Sequence, residues 1–377
     1  MAKVVIIGGG IVGAAAAHRL ACSGHEVVVV DRADLGQASA VGAGMVAPAT
    51  DLSASQIWYP LAFAAVASYP KLVAQLRDQG HPETGYEVVG ALLTAPPKRS
   101  GELDRAQVII EQWASQGAPN IGQVSRLAAG SALELFPALS PDLEAIHLSG
   151  AARVNGTAIR DALLAAVAER RGRMLTGTAR LLAKSGTIQA VRVGRKTEGC
   201  DAVLLASGAW AAERLSPDLA GLPVYPQRGQ LIHIDLPHTD VAKWPFVFDI
   251  SHRYMVTFPS HRVVVGATRE ESAGFDCRLT ALGVHEVLDY ALRAAPGLAQ
   301  GSIVDLRVGL RPMTADRLPL MGKIDGVSNL WIAAGLGPHG LALGPYVGQV
   351  VADALMGQGV GLDLTPFSPS RPQPARL

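Results

Sequence analysis

The chain of 377 residues is poor in three things: cysteine (3), aromatic side chains (5%) and charge (17%). Cys22, Cys200 and Cys277 lie far apart, with no CxxC pair and no histidine at zinc-site spacing. Neither a disulfide framework nor a metal is therefore expected, and the usage fits a reducing cytoplasm. Lys and Arg (33) barely exceed Asp and Glu (32), leaving a net charge of +1. A nucleic-acid binder needs a basic excess to release counterions, so a small molecule is the expected partner. No apolar run reaches ~18 residues without glycine or charge, so no transmembrane segment is expected. Residues 1–17 superficially look like a secretory leader, but three glycines interrupt the run and no clear cleavage site follows.

Apolar residues (49%), glycine (41) and proline (24) are plentiful, which excludes a disordered chain and predicts frequent turns. Single cores stop growing near ~250–300 residues, so two lobes are expected. Residues 4–7 are a short β-branched run, as in a strand covered on both faces. Gly8-Gly9-Gly10 makes a turn, residues 14–22 an Ala-rich helix, and residues 27–30 a second buried strand ending at Asp31. Together these form a βαβ unit. Residues 38–60 are rich in small residues without a clean period, and residues 61–77 read as a helix kinked at Pro70.

Further on, residues 86–94 read as strand, and 102–115 and 159–167 as helices. Residues 175–206 suggest short antiparallel strands with turns at Ser185-Gly186 and Glu198-Gly199. Longer alternating strands follow at 230–235, 253–258, 262–266 and 303–311, with a helix at 279–294. Residues 330–334 and 341–355 return to βα style, and the proline-rich tail from Thr365 reads as frayed. The fold class is α/β: a discontinuous Rossmann-type nucleotide domain (1–80, 145–223 and 323–364), with an antiparallel-sheet-rich substrate domain (81–144 and 224–322) and a tail (365–377).

The Gly8-x-Gly10-x-x-Gly13 pattern follows a strand, opens a helix and is followed by an acid 18 residues after its last glycine. Gly8 permits the tight turn, Gly10 lets the backbone approach a pyrophosphate, and Gly13 lets helix and strand pack closely. The phosphates then sit at the helix N-terminus, beside Ile11 and Val12, and Asp31 can accept from ribose hydroxyls. This fingerprint serves NAD and FAD alike. The small-residue stretch from Arg32 to Ala47, with Ala38, Ser39, Gly44 and Met45, suits an extended diphosphate and ribityl chain.

At this point the sequence resembles the FAD-dependent D-amino acid oxidase family, notably glycine oxidase and D-amino acid dehydrogenase. The resemblance recurs at Ala206-Ser207-Gly208-Ala209-Trp210, Pro226-x-Arg228-Gly229-Gln230, Gly309-Leu310-Arg311-Pro312 and Gly335–Pro345, and so spans about residues 3–358. It implies that FAD is bound by these stretches, including Ala206, Gly208 and Trp210, with Gly337, Pro338, His339, Gly340 and Leu341 near the flavin ring. A helix beginning near Gly340 would stabilise the negative charge that builds up on the ring by ~0.3–2 kcal/mol. Where the family often has a basic residue and an asparagine, this chain has Pro338 and His339; the histidine reads equally as a solvated loop residue. Covalently flavinylated members have a cysteine where Gly309 falls, so the flavin is expected to be non-covalent.

The resemblance also assigns Arg311 to the substrate carboxylate, a group that guanidinium binds through two parallel N–H bonds. Along residues 307–311, side chains alternate, so Arg307, Gly309 and Arg311 share a face, with Arg307 in reserve. The competing reading pairs Arg311 with Asp316 or Asp305. Tyr254 matches a tyrosine helping to hold the same carboxylate, against the alternative of a core aromatic. Tyr86, Trp58, Tyr59, His252 and Met45 are pocket candidates, although ordinary packing suits each better.

The expected reaction is oxidative deamination of a glycine, D-amino acid or N-substituted glycine. Hydride passes from the α-carbon to flavin N5, and the imine hydrolyses to a 2-oxo acid. Oxygen or a quinone would be the electron acceptor, and no strong base is required. Such an enzyme is expected in the cytoplasm, at the membrane surface if quinone-linked, with a homo-oligomer as one arrangement. An NAD-dependent Rossmann dehydrogenase and a non-catalytic flavin-binding subunit are the alternatives.

Overall fold

A computed structural model of the chain describes residues 1–213 and 222–374. Residues 214–221 of the expected nucleotide domain and 375–377 of the tail lie outside it. Among the described residues, one six-stranded sheet runs in the order Leu320–Lys323, Leu330–Ala334, Ala202–Leu205, Lys3–Ile7, Glu26–Asp31, Arg173–Thr176. All neighbours are parallel except the first pair.

The continuous apolar runs of its central strands follow from cover on both faces. Val4, Ile6, Val27, Val29 and Leu204 turn toward the helices Ile11–Cys22, Gly156–Glu169 and Gly340–Leu355. Val5, Ile7, Val28, Val30 and Leu205 turn toward a three-stranded antiparallel sheet of Ala179–Lys184, Thr187–Val193 and Lys196–Gly199. Two helices cross at glycine: a Cβ on Gly348 would lie 2.4 Å from the Val12 carbonyl oxygen. That contact brings the N-termini of helices Ile11–Cys22 and Gly340–Leu355 to the same end of the sheet.

A second sheet has eight strands, in the order Ser302–Met313, Tyr225–Asp235, Arg262–Gly266, Tyr254–Phe258, Phe246–Asp249, Ala91–Ala95, Glu144–Leu148, Val124–Leu127. It is antiparallel apart from one parallel pair, Phe246–Asp249 with Ala91–Ala95. Helix Ala281–Ala294, capped by Thr280, packs through Val287 and Ala291 on one face with Ile232, Val247 and Val263. The other face, with Leu231, Phe248, Val256 and Val264, joins the segment carrying Ala43, Ala47 and Ala49.

Several expectations need correction. Residues 202–205 and 173–176 join the parallel sheet: Val203, Leu204 and Leu205 find cover on its two faces, while 173–176 adds a largely exposed edge strand beside Glu26–Asp31. The turn at Ser185-Gly186 forms, with both residues at positive φ (49° and 74°). The next turn is at Gly194-Arg195, while Glu198 sits in a strand with its carboxylate between Lys3 and Arg173. The helix expected over 61–77 does form, as Trp58–Asp78 with Pro70 inside it; that proline is exposed while the stripe from Leu61 to Leu76 is buried. Glu144–Leu148 pairs in the second sheet and Leu320–Lys323 in the first, so the boundaries at 145 and 323 each cut a strand. The tail is not frayed up to Pro374: Phe367 is buried, and Arg371 pairs with Asp316 at 2.6 Å. Among the described residues, no helix is long and apolar enough to cross a membrane.

Candidate active site

One large cavity runs from the glycine turn to the second sheet. At its first end Gly8 has φ +113°, and a Cβ there would meet the Ala206 carbonyl oxygen at 2.3 Å. Gly13 lies behind the wall: a Cβ there would sit 1.9 Å from the Gly8 carbonyl oxygen. Helix Ile11–Cys22 starts at Gly10 with no side-chain cap of its own, and Ile11 N–H donates to Ser39 Oγ at 2.9 Å. Gly10, Ile11 and Val12 therefore present a helix N-terminus to the cavity, where an anion is favoured.

Asp31 closes the turn. Its carboxylate accepts from Gly9 N–H, from Ala33 N–H at 2.6 Å and from Gln37 Nε2 at 2.8 Å, with one edge in the cavity. Arg32 lines the same end, its guanidinium committed to Glu213 at 2.7 Å and Asp34 at 2.8 Å; bonds to these carboxylates, Glu213 foremost, raise its pKa. Ala38, Ser39, Gly44, Met45, Ala206, Gly208 and Trp210 supply the walls. Gly44 has φ +82°, and its missing Cβ lets Val154 approach: the contact would be 1.8 Å. The sequence reading missed Gly177, Thr178 and Ala179, which line the cavity beside Asp31. Their only local signal was a turn glycine.

At the other end, Gly337, Pro338, His339, Gly340 and Leu341 form a short turn leading into helix Gly340–Leu355. His339 is neither free nor merely solvated: its Nε2 lies 3.1 Å from Asp51 Oδ2, and its ring is 4.6 Å from that of Trp58. Asp51, 7% exposed and unnoticed in the sequence, also accepts from Ser53. Burial pushes its carboxyl up, but His339 and the Ser53 bonds outweigh that and hold it well below the usual range. A depressed folded pKa contributes stability above the unfolded value, ~3.9, that is lost as pH falls toward the folded one. Denaturation midpoints measured from pH ~5 to ~3 are therefore expected to fall less steeply for Asp51→Asn than for the parent chain. Equal slopes would mean the carboxyl is not held ionised.

Arg311 points into the cavity from strand Ser302–Met313. It donates to Gln227 Oε1 at 3.1 Å and the Thr268 carbonyl at 3.0 Å, and reaches the Tyr254 hydroxyl. Neither competing carboxylate is available: Asp316 is held by Arg371 and Asp305 by Arg307, both at 2.6 Å. Arg307 is spent in that pair and on the Ala40 carbonyl, outside the main cavity. Two glycines seat the pair. A Cβ on Gly229 would lie 2.6 Å from the Arg311 guanidinium, and one on Gly266 would lie 2.6 Å from the Tyr254 hydroxyl oxygen. Burial raises the Tyr254 pKa, with Arg311 pulling it back.

The motif neighbours Arg228 and Gln230 are structural: Arg228 pairs with Glu270 and Asp276, and Gln230 donates to Glu270 and Thr280. Trp58, His252 and Met45 do line the cavity. Tyr59 and Tyr86 do not; Tyr59 donates to the Asp51 carbonyl and Tyr86 stacks on Tyr69. None of the three cysteines reaches the wall, and no His, Cys, Asp or Glu cluster among the described residues could hold a metal.

Residues 3–354 match the FAD dependent oxidoreductase (DAO) family. The chain belongs to that family. It is 40% identical to an uncharacterized oxidoreductase of Bacillus subtilis (strain 168), covering 98% of this chain and 99% of that one. It is 30% identical to the glycine oxidase of Geobacillus kaustophilus (strain HTA426), covering 98% and 96%. Among solved structures, iminodiacetate oxidase from Chelativorans sp. BNC1 superposes with a TM-score of 0.93 at 38% identity, over 97% of this chain and 98% of that one. Glycine oxidase from Geobacillus kaustophilus gives 0.87 at 30%, over 98% and 99%.

The cofactor of this flavoenzyme is therefore FAD, and the NAD reading is set aside. The residues fit the group: a side-chain-free cradle at Gly8 and Gly10, an uncapped helix start, and a single cavity reaching from there to Arg311.

Proposed function

We propose that the enzyme oxidises the Cα–N bond of a small amino acid whose carboxylate is held by Arg311 and Tyr254. The observation that carries this is a cavity-lining guanidinium with no carboxylate partner among the described residues, backed by Gly229. Glycine, a D-amino acid or an N-substituted glycine fits. Glycine oxidases and an iminodiacetate oxidase, itself named for an N-substituted glycine, stand among the relatives.

In this reading residues 1–80, 149–213, 222–223 and 320–364 form the FAD-binding lobe, and residues 81–148 and 224–319 the substrate lobe. Gly8, Gly10, Ile11, Val12 and Gly13 hold the diphosphate, and Asp31 takes a ribose hydroxyl while bracing the turn through Gly9. The turn from Gly337 to Leu341 would border the ring, and the absence of cysteine from the wall, with Gly309 lining it, suits non-covalent binding. FAD, when bound, would supply the hydride acceptor, with oxygen or a quinone as the final electron acceptor.

The chain's own part is orientation. Two N–H bonds from Arg311 fix the carboxylate plane, Tyr254 limits its rotation, and the apolar walls exclude water, so the α-hydrogen is held in one direction. Loss of that hydride and of the nitrogen proton gives an imine, which water converts to a 2-oxo acid and an amine. His339, fixed by Asp51 and Trp58, lines the same cavity.

The test is an anaerobic spectrum of purified protein. The flavin band should bleach on addition of glycine, sarcosine or a D-amino acid; a band that no amino acid bleaches would favour a non-catalytic flavin subunit. Asp31→Ala is expected to release FAD on dilution, and full retention would remove the ribose role.

A further inference from the structure

A second guanidinium opens on the same cavity. Arg269 lines it with Arg311, Tyr254 and Asp51, and is itself exposed. No motif in the sequence singled it out. Its backbone is pinned on both sides: Thr268 N–H donates to the Gln230 carbonyl at 3.2 Å, and Glu270 N–H to the Arg228 carbonyl at 3.0 Å. The side chains of Thr268 and Glu270 bond each other at 2.7 Å, and Glu270 pairs with Arg228 at 2.6 Å. Arg269 therefore extends from a braced backbone.

The carboxylates around it are already taken. Asp51 is engaged by His339 and Ser53, Glu270 by Arg228, Glu286 by Arg253, and Asp316 by Arg371. Among the described residues Arg269 has no ion pair. Packed protein around it, and then the charge of Arg311, pull its pKa down, while Asp51 pushes it up. Two guanidinium groups thus share one end of a cavity that offers no free carboxylate to either. A substrate with a single acid group, such as glycine, would neutralise Arg311 and leave Arg269 facing it uncompensated. Like charges brought together in a narrow, partly dry space repel, and an anion between them removes the cost.

We propose that Arg269 is a second carboxylate subsite, making a small amino diacid the preferred substrate of this enzyme. The inference rests on the reading above that Arg311 takes the α-carboxylate. The second acid can hang on the nitrogen, as in iminodiacetate, or on the α-carbon, as in D-aspartate; both supply the same charge at the second guanidinium.

The test uses FAD-loaded protein and two readouts. The first is perturbation of the flavin spectrum by amine-free analogues: diglycolate against methoxyacetate for the nitrogen arm, and succinate against butyrate for the carbon arm. The second is anaerobic flavin reduction by iminodiacetate and D-aspartate, against sarcosine and D-alanine. A diacid preference of roughly 10–100-fold in at least one arm is expected, the scale of a charged hydrogen-bonded contact. Arg269→Gln should collapse that preference, Arg269→Lys should restore part of it, and Arg311→Ala should weaken diacids and monoacids together.

No diacid preference in either arm, or equal losses for diacids and monoacids in Arg269→Gln, would overturn the subsite. If Arg311→Ala left monoacid binding intact while Arg269→Gln still erased the diacid preference, the α-carboxylate reading would fall and the Arg269 contact would stand.

Discussion

Replacing Arg311 with alanine is expected to raise KM for amino acid substrates by ~30- to 5,000-fold, the loss of ~2–5 kcal/mol when a desolvated carboxylate loses its partner. The size follows from what would be left behind. The Gln227 side-chain amide oxygen and the Thr268 backbone carbonyl, which Arg311 now satisfies, would face the incoming carboxylate as bare acceptors. Of the neighbouring side chains, Tyr254 and Arg269 would remain as donors. Arg311→Lys should recover only part of the loss, because an ammonium cannot make two parallel bonds and still reach both carbonyls. FAD content should be unchanged in both variants, since no nucleotide-end residue touches this side chain. Steady-state kinetics on flavin-saturated enzyme decides the matter: an unchanged KM for every carboxylate substrate would remove Arg311 from the site.

Residues whose role depends on nearby sequence were legible, and those whose role depends on distant partners were not. The glycine turn, Asp31 and the closing βα unit announce themselves because strand, turn and helix follow one another within about 30 residues. Arg311 was recognisable from its motif, but its seat was not. Gly229 and Gly266 matter only because strands far apart in the chain lie side by side. Asp51 and Arg269 had no local signature: one is defined by its contact with His339, far along the chain, the other by the absence of an ion-pair partner among the described residues. The same cause explains the misplaced turn at Glu198. A charged residue beside glycine reads locally as a turn, yet Lys3 and Arg173 hold this one in a strand. Local pattern also could not show that Phe367 and Arg371 anchor the tail on the strand–loop region around Asp316.

Gly13→Ala is expected to cost the most structurally, by ~2–4 kcal/mol together with loss of bound FAD. The added methyl would lie 1.9 Å from the Gly8 carbonyl oxygen and 3.2 Å from Ile6 Cγ2. Gly8 cannot retreat, because its N–H donates to the Val30 carbonyl at 2.8 Å and its own missing Cβ faces Ala206 at contact distance. Helix Ile11–Cys22 cannot slide away either, since Gly348 brings helix Gly340–Leu355 against Val12 and Ala16 from the other side. The strain must therefore open the turn, the element that in the proposed function would present Gly10 and the helix start to the diphosphate. Gly101→Ala is the matched control. It lies in helix Ser100–Ser115 with nothing within 4 Å of the new methyl, so the same change should stabilise by up to ~1 kcal/mol. Thermal midpoints of the two variants should move in opposite directions, and the flavin-to-protein absorbance ratio should fall only for Gly13→Ala. A Gly13→Ala protein with parental midpoint and full flavin would show that the strand–turn–helix junction has slack, and that close packing there does not set cofactor binding.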